Sequence, residues 1–385
     1  MNIAIDAQPV IDNQKTGVGF YEYNIAWQLI KHWPQNNYTL NCFKIRRRLE
    51  VENALRAFTE MGGKLNICHW FPGSLYRFIW NFVPMSYSLF FGKIADVTHF
   101  FNYHTPPGVA GKKVVIIYDM VYRAFPETVK LRTKIMLNIS LKASISRTDR
   151  IITISEFSKS EIIKYMRVSP DCITVAPCGV DTSIFFPVNA ECIRTTKQKY
   201  NIPDRYLLYA GTLEPRKNIE RLIEAYAMVL NENPEVPALI LAGRKGWLYN
   251  GIFEKVRSLN IARRVVFTGY IDDADMPALL SGAIIFLFPS LYEGFGLPPL
   301  EAMACGVPVL TSTAASLPEV VGEAAVMVDP YNTEEIKDGI IRLIHDVNLR
   351  KSLSAKGLEH AKQFSWTRSA EIIMEVYKNL TGEAG

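Results

Sequence analysis

Six short apolar runs recur through the second half of the sequence, and several of them are separated by patterns of helical spacing. They read YLLYAG, ALILAG, RVVFTG, IIFLFPS, VPVLTS and AAVMVD. Strands that alternate with helices in this way predict a parallel sheet covered by helices on both faces. Four of the runs end in Gly or Pro at the carboxyl end, which is where open α/β sheets bind ligands. We therefore expect a ligand site at this edge.

The first half of the sequence shows the same alternation. Its predicted strands are NIAID, YTLNCF, LNICH, KVVIIY, RIITI and CITVA. A chain of 385 residues is long for one hydrophobic core, and the turn-rich stretch 176–189 separates the two patterns. We predict an α/β fold of two doubly wound Rossmann-like domains, residues 1–180 and 181–365. The last helical pattern, 366–385, has no following strand and can pack back on the first domain.

The overall charge and the cysteines exclude some classes of protein. The 43 basic and 38 acidic residues leave a mild positive excess, far below that of a dedicated nucleic-acid binder. This balance suits a protein that binds anionic ligands or one that lies against an anionic membrane, and no nucleic acid is expected as a partner. The six cysteines form no CxxC pair, which favours reduced thiols in a cytoplasmic protein. The amino terminus begins directly in a strand pattern, unlike a signal peptide.

An aromatic stretch at residues 70–91 is long enough to cross a membrane. It contains two prolines, a glycine and an arginine, which disfavour a spanning helix. The alternatives are an interfacial or substrate-lining segment and a buried pair of helices. The basic run KIRRR at 44–48 lies in the same half. Together they predict peripheral contact with the anionic inner face of a membrane, unless the run is merely exposed charge and the aromatics are core.

A glycine pattern near the start tests for a dinucleotide site. In TGVG, residues 16–19, the first two glycines of the fingerprint are present, but Glu22 stands where the third belongs. The pattern also begins too far beyond the first strand for a tight turn. We expect Gly17 and Gly19 to form a loop that enters a helix and brings backbone close to a ligand.

Two cations precede a predicted helix in the second half. Asn218 is the expected N-cap, so Arg216 and Lys217 stand just before the positive end of that helix. This arrangement favours an anion, most simply a phosphate or diphosphate, between the cations and the helix. The alternative is that both side chains are solvated on a surface loop.

The segment YEGFGLPPLE, residues 292–301, follows the buried run IIFLF. Glu293 is predicted in the strand-end loop, and Glu301 in the first turn of a helix that Pro298 or Pro299 begins. A carboxylate that accepts two hydroxyls is the usual way to hold a ribose, and the second carboxylate can meet hexose hydroxyls. Helix N-terminal electrostatics is the alternative explanation for Glu301.

These motifs resemble a known family. GTLEPRKN followed by SLYEGFGLPPLEAMACGVPVLTS is similar to the retaining nucleotide-sugar glycosyltransferases of the GT-B fold, in the large family named family four. The E-x7-E signature of that family matches at Glu293 and Glu301. The resemblance extends over most of the chain and is more specific in the second half. It implies two domains that face each other across a cleft, with the donor on the second and the acceptor on the first.

The resemblance also implies roles for individual residues. Arg216 and Lys217 match the basic pair that grips the donor diphosphate, and Glu301 matches the glutamate that holds the ribose. Glu293 matches the residue around the transferred sugar. The base is expected near Gly243, Arg244 and Tyr270. The remaining expected positions are the donor loop Gly294, Phe295, Gly296 and Leu297, and the amino-domain loop Gly17 and Gly19.

One position departs from the family pattern. Relatives often carry a His-Asp pair at the end of an amino-domain strand, whereas this chain has Tyr118-Asp119. Tyr118 can form a hydrogen bond, but it cannot carry the positive charge of an imidazole. Asp119 is still expected to orient the sugar or the acceptor, as a catalytic residue beside Glu293, Lys217 and Arg216. His99 occupies a second position where relatives often have histidine, and is a candidate acceptor residue. The alternative is that His99 is a structural histidine.

The resemblance implies a retaining, metal-independent hexosyltransferase that uses no cofactor. Its similarity to mannosyl- and rhamnosyl-type polymer enzymes makes GDP-mannose the first donor to consider. The implied acceptor is a glycan or a glycan on a lipid diphosphate, in surface polysaccharide assembly. The alternatives are a sugar-nucleotide epimerase or a phosphorylase on the same fold, and a non-catalytic sugar-nucleotide binding protein.

Overall fold

The computed structural model describes residues 1–11, 17–45, 48–80 and 82–383. The chain divides into two compact units: Met1–Ala124 with Leu131–Gly179 and Trp366–Gly385, and Phe125–Lys130 with Val180–Ser365. The main division thus falls beside Val180, whereas the assignment of 125–130 to the second unit was not predicted. Thr16 of the TGVG pattern and Arg46 and Arg47 of the basic run lie outside the described residues.

The first unit is built on a parallel sheet with seven strands among the described residues, in the order β3-β2-β1-β4-β5-β6-β7. The strands are β1 Asn2–Asp6, β2 Asn37–Phe43, β3 Lys64–Cys68, β4 Val97–Phe100, β5 Lys112–Ile116, β6 Arg150–Thr153 and β7 Ile173–Val175. The helices are α1 Gly17–His32, α2 Arg48–Glu60, α3 Gly73–Ile79, α4 Ser88–Phe91, α5 Val121–Ala124, α6 Leu131–Ile145 and α7 Glu156–Met166.

The sequence patterns identified six of these strands and missed β4. This strand reads VTHF, and its threonine and histidine mask the apolar character of a buried strand. All four residues are nonetheless buried, because β4 pairs with β1 on one side and β5 on the other.

The second unit contains a parallel sheet with six described strands, in the order β10-β9-β8-β11-β12-β13. The strands are β8 Tyr206–Ala210, β9 Ala238–Ala242, β10 Val265–Gly269, β11 Ile285–Phe288, β12 Val309–Ser312 and β13 Ala325–Val328. The helices are α8 Ala190–Lys199, α9 Ile219–Glu232, α10 Asn250–Ser258, α11 Met276–Ser281, α12 Leu297–Ala304, α13 Leu317–Val321, α14 Thr333–His345 and α15 Val347–Ala361. All six predicted runs are strands, and the predicted α/β class is confirmed in both units.

The last helix, α16 Trp366–Thr381, packs on the first unit. The Trp366 ring lies 5.6 Å from the Tyr21 ring of α1, and the hydroxyl of Tyr377 is hydrogen-bonded to Nδ1 of His99 in β4. Most of the inward face of α16 is therefore buried against elements more than 270 positions away. The sequence left open which domain the last helix packs on, and the structure shows that it is the first.

The aromatic stretch 70–91 forms the short helices α3 and α4. Tyr76, Trp80 and Tyr87 are buried, whereas Trp70 and Phe78 are 67% and 63% exposed. The segment is thus partly core and partly exposed apolar surface. The buried alternative holds for its core residues, and contact of the exposed residues with a membrane or a substrate stays a prediction. Within the ranges that the structure describes, no helix has the length and apolar character needed to cross a membrane.

Candidate active site

Three elements converge at the carboxyl edge of the second sheet. A 3-10 turn, Pro215–Lys217, follows β8; the loop 289–296 follows β11; and α12 begins at Leu297. The Leu291 amide donates to the Arg216 carbonyl at 2.8 Å, which ties the turn to the loop. Because β8 and β11 are neighbours in the sheet, two motifs more than 70 positions apart in sequence meet here.

Glu293 joins the two predicted cations. Its Oε2 accepts from Nη1 of Arg216 at 2.8 Å, and its Oε1 accepts from Nζ of Lys217 at 2.6 Å. Arg216 also donates to the Tyr292 carbonyl and pairs with Glu214 at 2.7 Å. Lys217 is only 7% exposed, and its ammonium lies 4.7 Å from the centre of the Phe288 ring. These cations are held in place, so the alternative of two solvated side chains is wrong.

The charges of this cluster are set by burial and by its own members. Burial alone would raise the pKa of the Glu293 carboxyl, but Arg216 and Lys217 outweigh it and lower that pKa to about 2. Burial lowers the pKa of the Lys217 ammonium, while Glu293 opposes the change. The cluster thus contains two cations, Arg216 and Lys217, and two acidic partners, Glu293 and Glu214. An anion that arrives here meets guanidinium and ammonium donors that are already oriented.

Asn218 occupies the N-cap position of α9 as predicted, but its side chain makes no capping hydrogen bond. It has a left-handed backbone (φ 61°), and its amide donates to the carbonyls of Pro289 at 3.0 Å and Pro330 at 2.6 Å. Asn218 is 6% exposed and bridges the loop after β11 to the turn after β13. Its role is to fix the two loops beside the cation pair.

The loop 294–297 is held from α13. The Ser316 hydroxyl lies 2.9 Å from the carbonyl of Glu293 and 2.6 Å from that of Phe295, and donates to them. Gly296 precedes α12 with φ 113°, and a Cβ there would lie 2.6 Å from Cδ2 of Leu317. Only glycine fits both restraints. The backbone of this loop is therefore rigid at the start of α12, where amide groups can meet an anion.

Gly296→Ala is expected to destabilise the protein by about 2 kcal/mol or more, because it combines left-handed strain with a clash against a buried leucine. Gly62→Ala is the matched control, since Gly62 has φ 99° and open space around its Cβ position. Guanidinium unfolding should show the larger loss for Gly296→Ala. Equal losses for both variants would show that the contact with Leu317 contributes nothing.

Glu301 lies in the second turn of α12, not in the first, because the helix begins at Leu297, one residue before Pro298. Its carboxyl lines a cavity of about 140 Å³ with Gly211, Met276 and Pro298. Burial, reinforced by the Asp273 carboxylate, raises the pKa of Glu301 to about 8. Glu301 thus places a carboxyl beside the end of β8, where hydroxyl donors of a ligand would stabilise its ionised form. Helix N-terminal electrostatics therefore does not account for Glu301.

The predicted base region is a small exposed platform. The Arg244 guanidinium lies 4.1 Å from the centre of the Tyr270 ring, and the Tyr270 hydroxyl donates to Asp273 at 2.8 Å. Gly243, just before Arg244, approaches the end of β8 so closely that a Cβ would lie 1.9 Å from the Gly211 carbonyl oxygen. The platform thus offers a stacking face and a carboxylate.

Asp273 belongs to the run Asp272-Asp273-Ala274-Asp275, which has Asp-x-Asp spacing and was overlooked in the sequence. Lys199 donates to Asp272 at 2.7 Å and to Asp275 at 2.6 Å. Across the part of the chain that the structure describes, no three His, Cys, Asp or Glu side chains form a metal-binding group.

Gly17 and Gly19 lie within α1 rather than in a loop, so the predicted loop is wrong at these two positions. A Cβ at Gly19 would lie 2.7 Å from the Pro9 carbonyl oxygen, so this glycine allows α1 to pack closely on the chain after β1. Gly17 is the first helical residue and has open space around it. Backbone contact between Gly17 and a ligand stays a prediction.

The other first-unit candidates differ in their surroundings. The Tyr118 hydroxyl donates to the Phe101 carbonyl at 3.0 Å, so it is already used within the core. Asp119 is partly exposed and accepts from the Val121 amide at 3.1 Å. His99 lies inside β4 with no exposed surface, and burial lowers its pKa to about 3. The ring is enclosed by Tyr377 and Phe101, which agrees with a structural histidine, and a role of His99 toward the acceptor stays a prediction.

Sequence reasoning missed Ser316, Asp273 and the polar residues around Asp6. Ser316 acts on a loop more than 20 positions away and leaves no local signal. Asp6 is the last residue of β1, so the strand-end rule applied to the second half could have found it.

Two sequence families match the chain. "Glycosyltransferase Family 4" matches residues 24–184, and "Glycosyl transferases group 1" matches residues 193–360. The chain is 36% identical over 283 residues to "O-antigen chain mannosyltransferase B" of Escherichia coli, covering 72% of this chain and 74% of that protein. It is 34% identical over 241 residues to "Serotype-specific mannosyltransferase WbdA" of Escherichia coli, covering 62% of this chain but only 30% of that protein.

Solved structures resemble the whole chain. Sucrose-phosphate synthase of Thermosynechococcus elongatus has a TM-score of 0.71 at 19% identity, with 100% of both chains covered. Anabaena HepE, solved in complex with UDP-glucose, has a TM-score of 0.74 at 17% identity, covering 98% of this chain and 100% of that one. At these identities the likeness shows the fold, which is GT-B.

Proposed function

Since the chain belongs to glycosyltransferase family 4, we propose that it transfers a hexose with retention from a nucleotide diphosphate sugar to a glycan or lipid-linked glycan. The observation that carries this proposal is the buried cluster of Arg216, Lys217 and Glu293 at the carboxyl edge of the second sheet. Two fixed cations at a strand end suit a diphosphate, and the neighbouring carboxyl of Glu301 suits a ribose.

The proposed donor is GDP-mannose. The relatives with the names quoted above are mannosyltransferases, and the base platform supports guanine on chemical grounds. Guanine presents two adjacent donors, N1–H and the 2-amino group, which the Asp273 carboxylate can accept together. Uracil presents one N–H between two carbonyl oxygens, which that carboxylate repels. Tyr270 and Arg244 supply the stacking face.

Asp273→Asn is expected to raise the KM for GDP-mannose by about 10- to 100-fold, as loss of a charged bidentate contact does. Inhibition constants for GDP and UDP, measured on both proteins, report the base preference directly. Asp272→Asn is the control, because that carboxylate lies in the same loop but binds Lys199. A GDP/UDP ratio that Asp273→Asn leaves unchanged would rule out guanine recognition by Asp273.

The proposed step breaks the bond between C1 of the hexose and the β-phosphate oxygen. The acceptor oxygen forms its bond to C1 on the same face, and its proton passes to the departing diphosphate. Negative charge grows on the β-phosphate, where Arg216, Lys217 and the amides of residues 294–297 would stabilise it. These groups supply the charge stabilisation without a metal or another cofactor. Asp119 would orient the acceptor.

Glu293 has two functions in this proposal. Without substrate its two carboxylate oxygens bridge both cations and keep them in place. With the donor bound, the phosphates share the cations, and the carboxylate oxygens also accept hydroxyl groups of the hexose. This fits the low pKa of Glu293, because the group stays ionised throughout.

The proposed setting is surface polysaccharide assembly at the cytoplasmic face of a membrane. A relative named for the O-antigen chain supports this setting, and the exposed aromatics of the first unit support peripheral contact with anionic lipid. We expect co-sedimentation with phosphatidylglycerol vesicles at low salt. No nucleic acid is expected as a partner.

The test is a donor screen followed by product analysis. Thermal stabilisation by UDP-, GDP- and dTDP-sugars identifies the donor, and NMR of the product after EDTA treatment reports its anomeric configuration. We expect GDP-mannose to stabilise the protein and the product to keep the α configuration. Conversion of the donor without an acceptor would indicate an epimerase, and release of sugar phosphate by added phosphate would indicate a phosphorylase. Donor binding without transfer would indicate a binding protein.

A further inference from the structure

Two cavities in the first unit share one residue, Arg77. The polar cavity lies at the carboxyl ends of β1 and β4 and is lined by Asp6, Gln8, Asn102, His104 and Arg77, with aromatic rings around them. Its volume of about 30 Å³ can hold the edge of a sugar but not a whole ring. Strand ends of a parallel sheet are where ligands bind in such folds.

The apolar cavity lies between α3 and α6 and has a volume of about 600 Å³. It is lined by Phe78, Leu131, Ile135 and Met136, with Arg77, Arg132 and Ser74. Leu131 and Ile135 are 69% and 49% exposed at successive turns of α6. A volume of this size is within the usual range of about 300–1,000 Å³ for small-molecule sites. Its surface is apolar with cations and no carboxylate among its lining residues.

Arginines are the charged side chains that line the two cavities, apart from Asp6 and His104 in the polar one. Residues 70–95 and 131–148, which include α3 and α6, contain no Asp or Glu at all. Burial raises the pKa of Asp6 to about 6 and the Arg77 guanidinium opposes this; burial and then Arg77 lower the pKa of His104 to about 4, so the charge of Arg77 reaches the polar cavity. An anion placed beside Arg77 and Arg132 would therefore be attracted by both guanidinium groups.

A third arginine supports an anionic ligand independently. Arg147 stacks on Trp80, a residue of the polar cavity wall, with 5.3 Å between its guanidinium and the ring centre. Its Nη1 is buried and has no hydrogen-bond partner among the residues described. A buried cationic donor without an acceptor is unfavourable, and an oxyanion nearby would offset this.

We propose that the two cavities form one acceptor site for a sugar on a lipid diphosphate. Arg77 and Arg132 would hold the diphosphate, the lipid chain would lie along Phe78, Leu131 and Ile135, and the sugar edge would enter beside Asp6 and Asn102. The inference rests on the proposed glycosyl transfer, and it names the class of acceptor and its position. A free glycan would use the polar cavity alone and would leave the apolar one empty.

Titration calorimetry with farnesyl diphosphate, with excess GDP present to occupy the proposed donor site, tests the acceptor site on the full chain. We expect it to bind at least tenfold more tightly than inorganic pyrophosphate, because only the former reaches the apolar cavity. Ile135→Ser is expected to weaken farnesyl diphosphate about tenfold and to leave pyrophosphate within twofold. Ile184→Ser is the matched control, since Ile184 is 46% exposed but lies in the second unit. Arg132→Ala should weaken both ligands, whereas Arg205→Ala should weaken neither.

Two results would overturn the proposal. Equal affinity for farnesyl diphosphate and pyrophosphate would show that the apolar cavity takes no lipid. Binding to phosphatidylglycerol vesicles that farnesyl diphosphate does not compete with, together with no binding of free farnesyl diphosphate, would assign the surface to the membrane itself. The proposed function is tested separately, because the wild-type donor screen uses no lipid. Failure to transfer any sugar, with farnesyl diphosphate still bound, would contradict the function and leave the lipid diphosphate site standing.

Discussion

Lys217→Met is expected to lower kcat/KM for glycosyl transfer by about 10²- to 10³-fold, the usual effect of removing one donor that stabilises developing negative charge. The ammonium of Lys217 is 2.6 Å from Glu293 and buried, so no other side chain can move into its place without rearrangement. Methionine keeps the length of the side chain and removes the charge. The loss should appear mainly in kcat, because charge on the β-phosphate is greatest in the transition state.

Lys217→Met is also expected to be less stable than the wild-type protein. Loss of a lysine with a purely catalytic role would not lower stability. Breaking a buried ion pair by removing one partner costs about 3–5 kcal/mol. We expect the lower end of that range, since Arg216 still donates to Glu293 at 2.8 Å. The double variant Lys217→Met/Glu293→Gln should recover most of the stability, because it leaves no uncompensated carboxylate. It should remain inactive.

Guanidinium unfolding and initial transfer rates on the single and double variants check both parts. Glu293→Gln alone completes the cycle and reports how strongly the two residues are coupled. Lys217→Met that transfers within threefold of the wild-type rate would remove Lys217 from the phosphate site. A double variant that regains activity along with stability would show that the cluster is only structural.

Glu301→Gln is expected to raise the KM for the donor by about 10- to 100-fold, because hydrogen bonds to a charged group contribute about 1.5–3 kcal/mol. A carboxylate can accept from two ribose hydroxyls at once, whereas an amide offers a single oxygen. The pKa of Glu301 is about 8 without ligand, so the donor must bind with loss of a proton at neutral pH. The wild-type KM should therefore fall as the pH rises from 6 to 8, and the variant should lose this dependence.

The stability of the wild-type protein is expected to fall over the same pH range in which its affinity for the donor increases. The pKa of Glu301 is raised in the folded protein, from an ordinary value of 4.5 to about 8, so the folded state binds a proton that the unfolded chain has released. The contribution of this carboxyl to stability is thus complete below pH 4.5, is lost as the pH rises to 8, and is level above 8. Glutamine does not titrate. The Tm of Glu301→Gln should therefore rise relative to wild type between pH 5 and pH 8.5.

Thermal unfolding and donor kinetics at three pH values measure both effects on the same samples. A variant that binds donor as tightly as wild type would exclude Glu301 from the ribose site. A Tm difference that is the same at pH 5 and pH 8.5 would show that the carboxyl is not buried in the way described.

Much of the fold follows from local patterns. Strand and helix spacing depends on residues a few positions apart, so 12 of the 13 strands among the described residues match runs visible in the sequence. The missed strand, β4, is buried because it lies between two neighbouring strands. The pattern of its residues does not show this burial. The motifs around Glu293 and Glu301 are likewise local, and they were sufficient to indicate the family.

Interactions between distant residues were decided only by the tertiary structure. Glu293 bridges Arg216 and Lys217 because β8 and β11 are adjacent in the sheet. Asn218 lies at the predicted N-cap position, but its side-chain amide donates hydrogen bonds to the loop after β11 and to the turn after β13. The enclosure of His99 depends on Tyr377 in α16, which is 278 positions away.

The sequence by itself determined the α/β class, the two halves and the chemical groups of the proposed donor site, because spacing and residue type are short-range properties. The tertiary structure decided which groups are neutralised, which are buried and which share a cavity. Burial shifts the pKa of Glu301 upward and two cations shift that of Glu293 downward, although both are glutamates of one ten-residue segment. The physical reason is that solvation and charge pairing depend on residues brought together from distant parts of the chain.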